Sequence, residues 1–228
     1  MASTSTTQTQ IPSQKGHRWF AALYDRINAR DERRLGPLIR PRIAGEAHGR
    51  VLEIGAGTGA NFPYYPADAR VVATEPDPFM LKRAEKKLAE LAVTNIEIRQ
   101  SSADELPFEE ASFDHVVSTL VLCSVPEQSR ALGELRRVLR PTGSFRFLEH
   151  VRNDDSRVWG TIQDAITPVW RQLGAGCHPN RRTRQAIEEA GFELEWLEKT
   201  RIAPGTFAVY GVARPTRPRS SARGRLAP

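Results

Sequence analysis

Val51-Leu52-Glu53-Ile54-Gly55-Ala56-Gly57-Thr58-Gly59-Ala60 is a short apolar run that ends in three glycines at alternate positions. A strand running into such a loop turns tightly and leaves bare amides where side chains would block a ligand. Outward from it, strand-like and helix-like runs alternate. Arg70 to Thr74, Ile96 to Arg99, Phe113 to Thr119 and Ser144 to Leu148 have the character of strands, and Phe79 to Leu91 and Glu127 to Leu139 carry their apolar residues on one helical face. Arg140-Pro141-Thr142-Gly143 stops the second of these helices. Beyond Gly191 the pattern changes: Asn180 to Ala190 reads as a helix, Phe192, Leu194 and Trp196 alternate, and Thr206 to Val212 follows the turn Ala203-Pro204-Gly205. So short a connection joins antiparallel strands. The expected fold class is α/β, a Rossmann-like doubly wound and mostly parallel seven-stranded sheet with an antiparallel C-terminal strand.

Upstream of Arg50, His17 to Arg30 places Trp19, Phe20, Leu23, Tyr24 and Ile27 at helical spacing, and a second helix is expected over Glu32 to Ala47 with a break near Gly36-Pro37.

The loop gains chemical meaning from two acids. Glu75 stands at the end of the next strand, where a carboxylate can accept hydrogen bonds from both hydroxyls of a ribose. Glu53 lies two residues before Gly55. A carboxylate beneath the loop suits a ligand with a cationic ammonium or sulfonium better than a pyrophosphate, which argues against NAD. The plainer role for Glu53 is an anchor for the loop. Together the features predict an adenosine cofactor across the carboxyl ends of the first two strands.

The chain has 228 residues, 39% hydrophobic and 26% charged, the composition of an ordinary globular protein. Its net charge of +6 suggests a polyanionic partner until it is divided by segment. Five arginines (Arg214, Arg217, Arg219, Arg223 and Arg225) fall in residues 214–228 with no acid, and Lys15 is the one charge in residues 1–16, so residues 17–213 are formally neutral. The basic tail lacks interleaved aromatics, which argues against a nucleic-acid substrate. No window approaches the ~18 apolar residues that span a bilayer, and residues 1–16 have no apolar signal core, so a cytoplasmic protein without a membrane span is expected. Cys123 and Cys177, far apart in sequence, are read as free thiols, too few and too distant for a disulfide framework or a zinc site, and no metal is expected. Residues 1–16 and 214–228 are expected to be disordered tails on one domain over residues 17–213.

Val51 to Gly59 resembles the first motif of the class I S-adenosylmethionine-dependent methyltransferases, and the likeness continues through Glu75, Ser102-Ala103-Asp104-Glu105-Leu106-Pro107-Phe108, Phe113 to Val117 and Leu135 to Gly143. The resemblance implies S-adenosyl-L-methionine as cofactor. It implies that Gly55, Gly57 and Gly59 pass its methionine end, that Glu75 holds the ribose, and that Pro76 and Asp77 border the adenine. Ala103 and Asp104 would reach the adenine edge, and Thr119 and Leu120 the floor beside the methyl group. Gly57-Thr58-Gly59-Ala60-Asn61-Phe62, Tyr65-Pro66, Thr119 to Val125, Glu149-His150-Val151, Pro168-Val169-Trp170 and Gly174-Ala175-Gly176-Cys177 further resemble the alkyl thiol S-methyltransferase branch. Similar motifs occur in phosphatidylethanolamine N-methyltransferases and quinone-ring C-methyltransferases.

The acceptor is therefore expected to be a small hydrophobic molecule such as an alkyl thiol. Its proton would go to Glu149, His150 or His178, with His150 and His178 as the catalytic candidates. Residues 50–150 would bind the cofactor, and residues 17–47 and 151–180 would build the acceptor pocket. Trp159, Ile162, Ile166, Val169, Trp170 and Leu173 recur at helical spacing and would either line that pocket or pack on the sheet. Oligomeric state is open.

Overall fold

The computed structural model describes residues 18–174, 176–203 and 205–216, with side chains from residue 29. Seven strands, β1 (Arg50–Ile54), β2 (Arg70–Thr74), β3 (Ile96–Arg99), β4 (Phe113–Thr119), β5 (Leu139–Val151), β6 (Phe192–Ala203) and β7 (Thr206–Pro215), form one sheet in the order β3-β2-β1-β4-β5-β7-β6. The pairs from β3 through β5 are parallel, and β7 runs antiparallel to both β5 and β6. The expected class and the reversed last strand are as the sequence pattern dictates.

Alternation along the strands divides the core between two faces. On one, Leu52, Ile54, Val116 and Phe145 pack with α3 (Gln128–Val138) and α5 (Thr183–Glu189) through Leu132, Leu135 and Ile187. On the other, Val51, Val71, Ala73 and Val117 pack with α1 (Arg18–Ile43) and α2 (Pro78–Leu91) through Ile39, Ile43 and Ala84. Asp77 caps α2, its side chain accepting from the amides of Phe79 and Met80. The carboxyl ends of β1, β4 and β5 share one edge of the sheet, where ligands of open α/β folds bind.

Several expectations are corrected. The break near Gly36-Pro37 does not occur, and one helix, α1, runs from Arg18 to Ile43 with Pro37 and Pro41 inside it. Its continuity is held by Arg40, whose guanidinium makes a two-pronged pair with Glu32 at 2.6 and 2.7 Å, and by the burial of Ile39 and Ile43. Gly36 serves that pair, because a Cβ there would run into the Glu32 carboxylate. β5 starts at Leu139, so Arg140 to Gly143 form its opening residues. β7 includes Arg214 and Pro215, Arg214 pairs with Glu195 at 2.6 Å, and the Thr216 amide donates to the Gly191 carbonyl at 2.9 Å; residues 217–228 of the expected basic tail, the expected N-terminal tail and the side chains of Trp19, Phe20, Leu23, Tyr24 and Ile27 lie outside the described residues.

The largest correction concerns α4 (Arg157–Leu173). Val158, Trp159, Ile162, Ile166, Val169, Trp170 and Leu173 are all exposed, and what the helix buries is Gly160, Gln163 and Thr167. The apolar stripe neither packs on the sheet nor lines the cleft described below, apart from an edge contact of Trp159 with Phe207. The reason is the surface on which α4 lands: past the end of β5 it meets free backbone groups. Gln163 answers them, donating to the carbonyls of Val151 (3.1 Å) and Pro179 (3.0 Å) and accepting from the amide of Asn153 (2.7 Å).

Candidate active site

A cleft of about 350 Å³ opens at the carboxyl edge of β1, β4 and β5 beneath α1, lined among others by Leu35, Ile39, Thr58, Leu120, Leu148 and His150. The glycine loop forms part of its rim. Gly57 has φ +59°, and a Cβ built on it would meet nothing within 4 Å, so its backbone faces open space that a side chain would fill. Gly55, at φ +57°, is required for packing instead: a Cβ there would press into the methyls of Val121 at 2.5 Å. Gly59, at φ +79°, lies against the Phe62 ring.

Glu75 is buried and turned toward the loop, its two carboxylate oxygens accepting from the amides of Gly57 (2.8 Å) and Asp77 (2.9 Å). Burial pushes its carboxyl up to about 7, against the pull of those two amides. Pro76 follows it, and its carbonyl accepts from Gln100 at 3.1 Å. Across the next loop Ala103 is buried, and Asp104 has one buried carboxylate oxygen, Oδ1, without a hydrogen-bond partner among the described residues. Burial raises its carboxyl. An unpaired buried acceptor is costly unless a donor arrives.

Glu53 lies beneath the glycine loop. It is 2% exposed, and its oxygens accept from Asn61 Nδ2 (2.8 Å) and the Tyr65 hydroxyl (2.9 Å), which pins the end of the glycine loop from below. Asn61 also donates to Thr119 Oγ1 at 2.8 Å and accepts from Arg40, which ties β1, β4 and α1 into one support. Burial drives the Glu53 carboxyl up to about 7. No local pattern in the sequence distinguishes Arg40, and Asn61, within the Gly57 to Phe62 stretch that carries the resemblance, has no role of its own there. Leu120, with φ +61°, donates its amide to the Leu148 carbonyl at 2.7 Å and projects into the cleft lining.

Among the acid-base candidates, Glu149 is fully buried and spent on structure, accepting from Ser118 Oγ (2.6 Å) and the amides of Val121 (3.1 Å) and Cys123 (3.3 Å). His178 does not line the cleft; its amide donates to the Cys123 carbonyl at 2.7 Å and closes a loop. His150 does line it. The expectation that Cys123 and Cys177 lie too far apart for a common site is overturned: the loops after β4 and α4 meet through that His178 bond, and the two sulfurs stand 3.6 Å apart. Both are free thiols.

Open space over Gly57, a carboxylate bonded to its amide and an unpaired acceptor on Asp104 beyond describe a bed for an adenosine. The chain belongs to the S-adenosylmethionine-dependent methyltransferases, with residues 52–147 matching the methyltransferase domain family. It is 38% identical over 176 residues to thiol S-methyltransferase TMT1A of Homo sapiens, covering 76% of this chain and 72% of that one, and spans 62% of the length of TMT1B of Rattus norvegicus. It is 32% identical over 171 residues to phosphatidylethanolamine N-methyltransferase of Cereibacter sphaeroides, covering 72% of this chain and 82% of that one. A solved SAM-dependent methyltransferase from Aquifex aeolicus shares the fold, with a TM-score of 0.59 at 18% identity over 87% of this chain and 99% of that one. The enzyme uses S-adenosylmethionine. Among the described residues, no helix is long and apolar enough to cross a membrane.

Proposed function

We propose that the enzyme transfers the methyl group to the sulfur of a small hydrophobic thiol. The observation that carries this reading is the identity to human thiol S-methyltransferase TMT1A over three quarters of the chain. It is supported by the apolar inner wall of the cleft, formed by Leu35, Ile39, Leu120, Leu148 and Ile202.

S-adenosylmethionine, when bound, supplies an electrophilic methyl on a sulfonium. In this reading Gly55, Gly57 and Gly59 border its methionine end and Glu75 accepts from the ribose hydroxyls. Pro76, Asp77 and Ala103 border the adenine, Asp104 Oδ1 accepts from its exocyclic amine, and Thr119 and Leu120 form the floor beside the methyl. Glu53 acts through Asn61 and Tyr65, holding the loop still. Methyl transfer is an in-line displacement, so the chain's main task is to hold the acceptor sulfur on the far side of the methyl in a dry, shaped space. His150 is the acid-base candidate that can reach such an acceptor, and His178 serves the loop. Residues 50–150 are the cofactor unit of one domain over residues 17–213 and residues 17–47 its acceptor unit, while residues 151–180, expected to share in that unit, place no described side chain in the cleft lining. A cytoplasmic setting completes the reading, and cell fractionation checks it.

Incubation with labelled S-adenosylmethionine and a panel of alkyl thiols, phenols, amines, quinones and phospholipids is expected to give a methyl thioether. Label appearing on a phospholipid amine alone would overturn the thiol reading in favour of the chemistry named for the Cereibacter relative. Glu75→Ala is expected to weaken S-adenosylhomocysteine binding tenfold or more by calorimetry, and unchanged affinity would remove Glu75 from the ribose.

A further inference from the structure

Beside the cleft the fold assembles a group of side chains that the cofactor geometry does not use. His150 Nδ1 stands 3.3 Å from Cys177 Sγ and 3.7 Å from Cys123 Sγ, and the two sulfurs are 3.6 Å apart. A tetrahedral zinc site with Zn–S near 2.3 Å and Zn–N near 2.0–2.1 Å has edges of about 3.8 Å between sulfurs and about 3.6 Å between sulfur and nitrogen. The observed triangle matches those edges to within about 0.3 Å, with all three ligand atoms inside 4.8 Å of one another. The sulfur separation alone suits two thiols in contact as well as two metal ligands; what the metal site adds is a role for the imidazole nitrogen that faces both sulfurs.

The backbone that carries the group is fixed from several directions. The Cys123 carbonyl accepts from the His178 amide and the Cys123 amide donates to Glu149, while the Cys177 amide donates to the Gly174 carbonyl at 3.0 Å. Thr183 Oγ1 donates to the His150 carbonyl at 3.4 Å. Three protein ligands with a fourth position left open is the arrangement of zinc sites that act on a substrate, whereas structural sites close with four. The cluster also abuts the cleft: His150 belongs to both, and the carbonyl of Leu120, another lining residue, lies 3.5 Å from Cys123 Sγ.

We propose that Cys123, His150 and Cys177 bind one zinc ion whose fourth position takes the acceptor sulfur as a thiolate. The second half of this proposal rests on the thiol reading above; the first does not. As the acceptor sulfur binds zinc, its proton leaves to water, and His150 serves as a ligand in place of the base named above. An electron pair of the bound sulfur then forms the new bond to the methyl carbon, and the bond from that carbon to the sulfonium breaks with its pair staying on the departing sulfur, now a neutral thioether. Zinc keeps its oxidation state, so no oxidant or reductant enters. Two thiolates balance the charge of the ion, and the thioether product, a weaker ligand than the thiolate, is free to leave.

The test uses the full chain, reduced, stripped with a chelator and titrated with cobalt(II), which reports thiolate ligation through charge-transfer absorption in the near ultraviolet. One cobalt per chain is expected, displaced by zinc, with affinity reduced tenfold or more in Cys123→Ser and Cys177→Ser. His150→Cys should retain binding with a stronger charge-transfer band, which separates loss of a ligand from loss of the fold. Addition of an alkyl thiol should intensify the band in the wild-type protein. Failure of the reduced chain to take up cobalt overturns the proposal, as does uptake that survives unchanged in Cys177→Ser, or a spectrum unmoved by saturating alkyl thiol. Uptake is read without turnover. A chain that binds cobalt in this way and methylates no thiol therefore overturns the thiol reading, and a metal-stripped chain that methylates thiols at the full rate overturns this one.

Discussion

Beneath the glycine loop and beneath α4 the protein buries a polar side chain, and the two differ in charge. Glu53 is a carboxyl in a dry site with two donors, Asn61 and Tyr65, and burial still drives it up to about 7. Gln163, 1% exposed, is neutral, and both its amide nitrogen and its amide oxygen are matched to backbone partners. The carboxyl leaves a cost that varies with pH; the amide leaves none. That settled anchor lets α4 turn its apolar stripe outward, whereas α3, landing on an apolar sheet face, turns Ala131, Leu132, Leu135 and Val138 inward. Periodicity specifies that a helix has two faces, and the surface beneath it specifies which one is buried.

The folded Glu53 carboxyl keeps its proton up to about 7 and the unfolded one releases it near 4.5, so in that interval the unfolded state binds fewer protons and stability falls as pH rises. Glu75, also raised to about 7, acts in the same direction. Urea midpoints should drop between pH 5 and pH 7.5, by a loss on the order of 3 kcal/mol per group. Glu53→Gln, which can still accept from Asn61 and donate to the Tyr65 hydroxyl, should remove its share of the slope and leave that of Glu75; a slope unchanged by the substitution would detach the pH dependence from Glu53. Under α4 the effect is smaller. Gln163→Ala strands two carbonyls and an amide and should cost about 1–3 kcal/mol at any pH in that range. Val169→Ser on the outer face should stay within about 0.5 kcal/mol. Equal losses for those two variants would mean that the outer face is covered, and the contrast with α3 would fail.

The sequence made much of this visible, and the failures share a cause. β2, β3 and β4 are bounded as their apolar runs predict: β2 and β4 carry several buried residues, and β3 at the sheet edge alternates Ile96 and Ile98 with the exposed Glu97 and Arg99. The turn of Glu75 toward the glycine loop follows from adjacent parallel strands ending at the same level. The break expected in α1 was a local reading of Gly36-Pro37 that the Glu32–Arg40 pair and the burial of Ile39 override. The inverted α4 depends on carbonyls at Val151 and Pro179 that no helical pattern encodes. Cys123 and Cys177, 54 positions apart, become neighbours through bonds that join two loops, from the His178 amide to the Cys123 carbonyl and from Arg181 to the carbonyls of Leu122 and Val125. Glu53, expected among the cofactor-binding residues, has both carboxylate oxygens engaged by Asn61 and Tyr65 beneath the loop, partners that no local pattern announces.

The position of β7 between β5 and β6 carries a consequence for the chain as it emerges from the ribosome. β6 is synthesised before β7 and pairs with β7 alone, so it has no partner waiting when it appears. The edge of β5 facing β7, with Phe145, Phe147 and Leu148 along it, stays open until residue 215 has been made. Until its last strand closes the sheet, the growing chain therefore presents the unpaired backbone edge of β5, the kind of edge that templates edge-to-edge association.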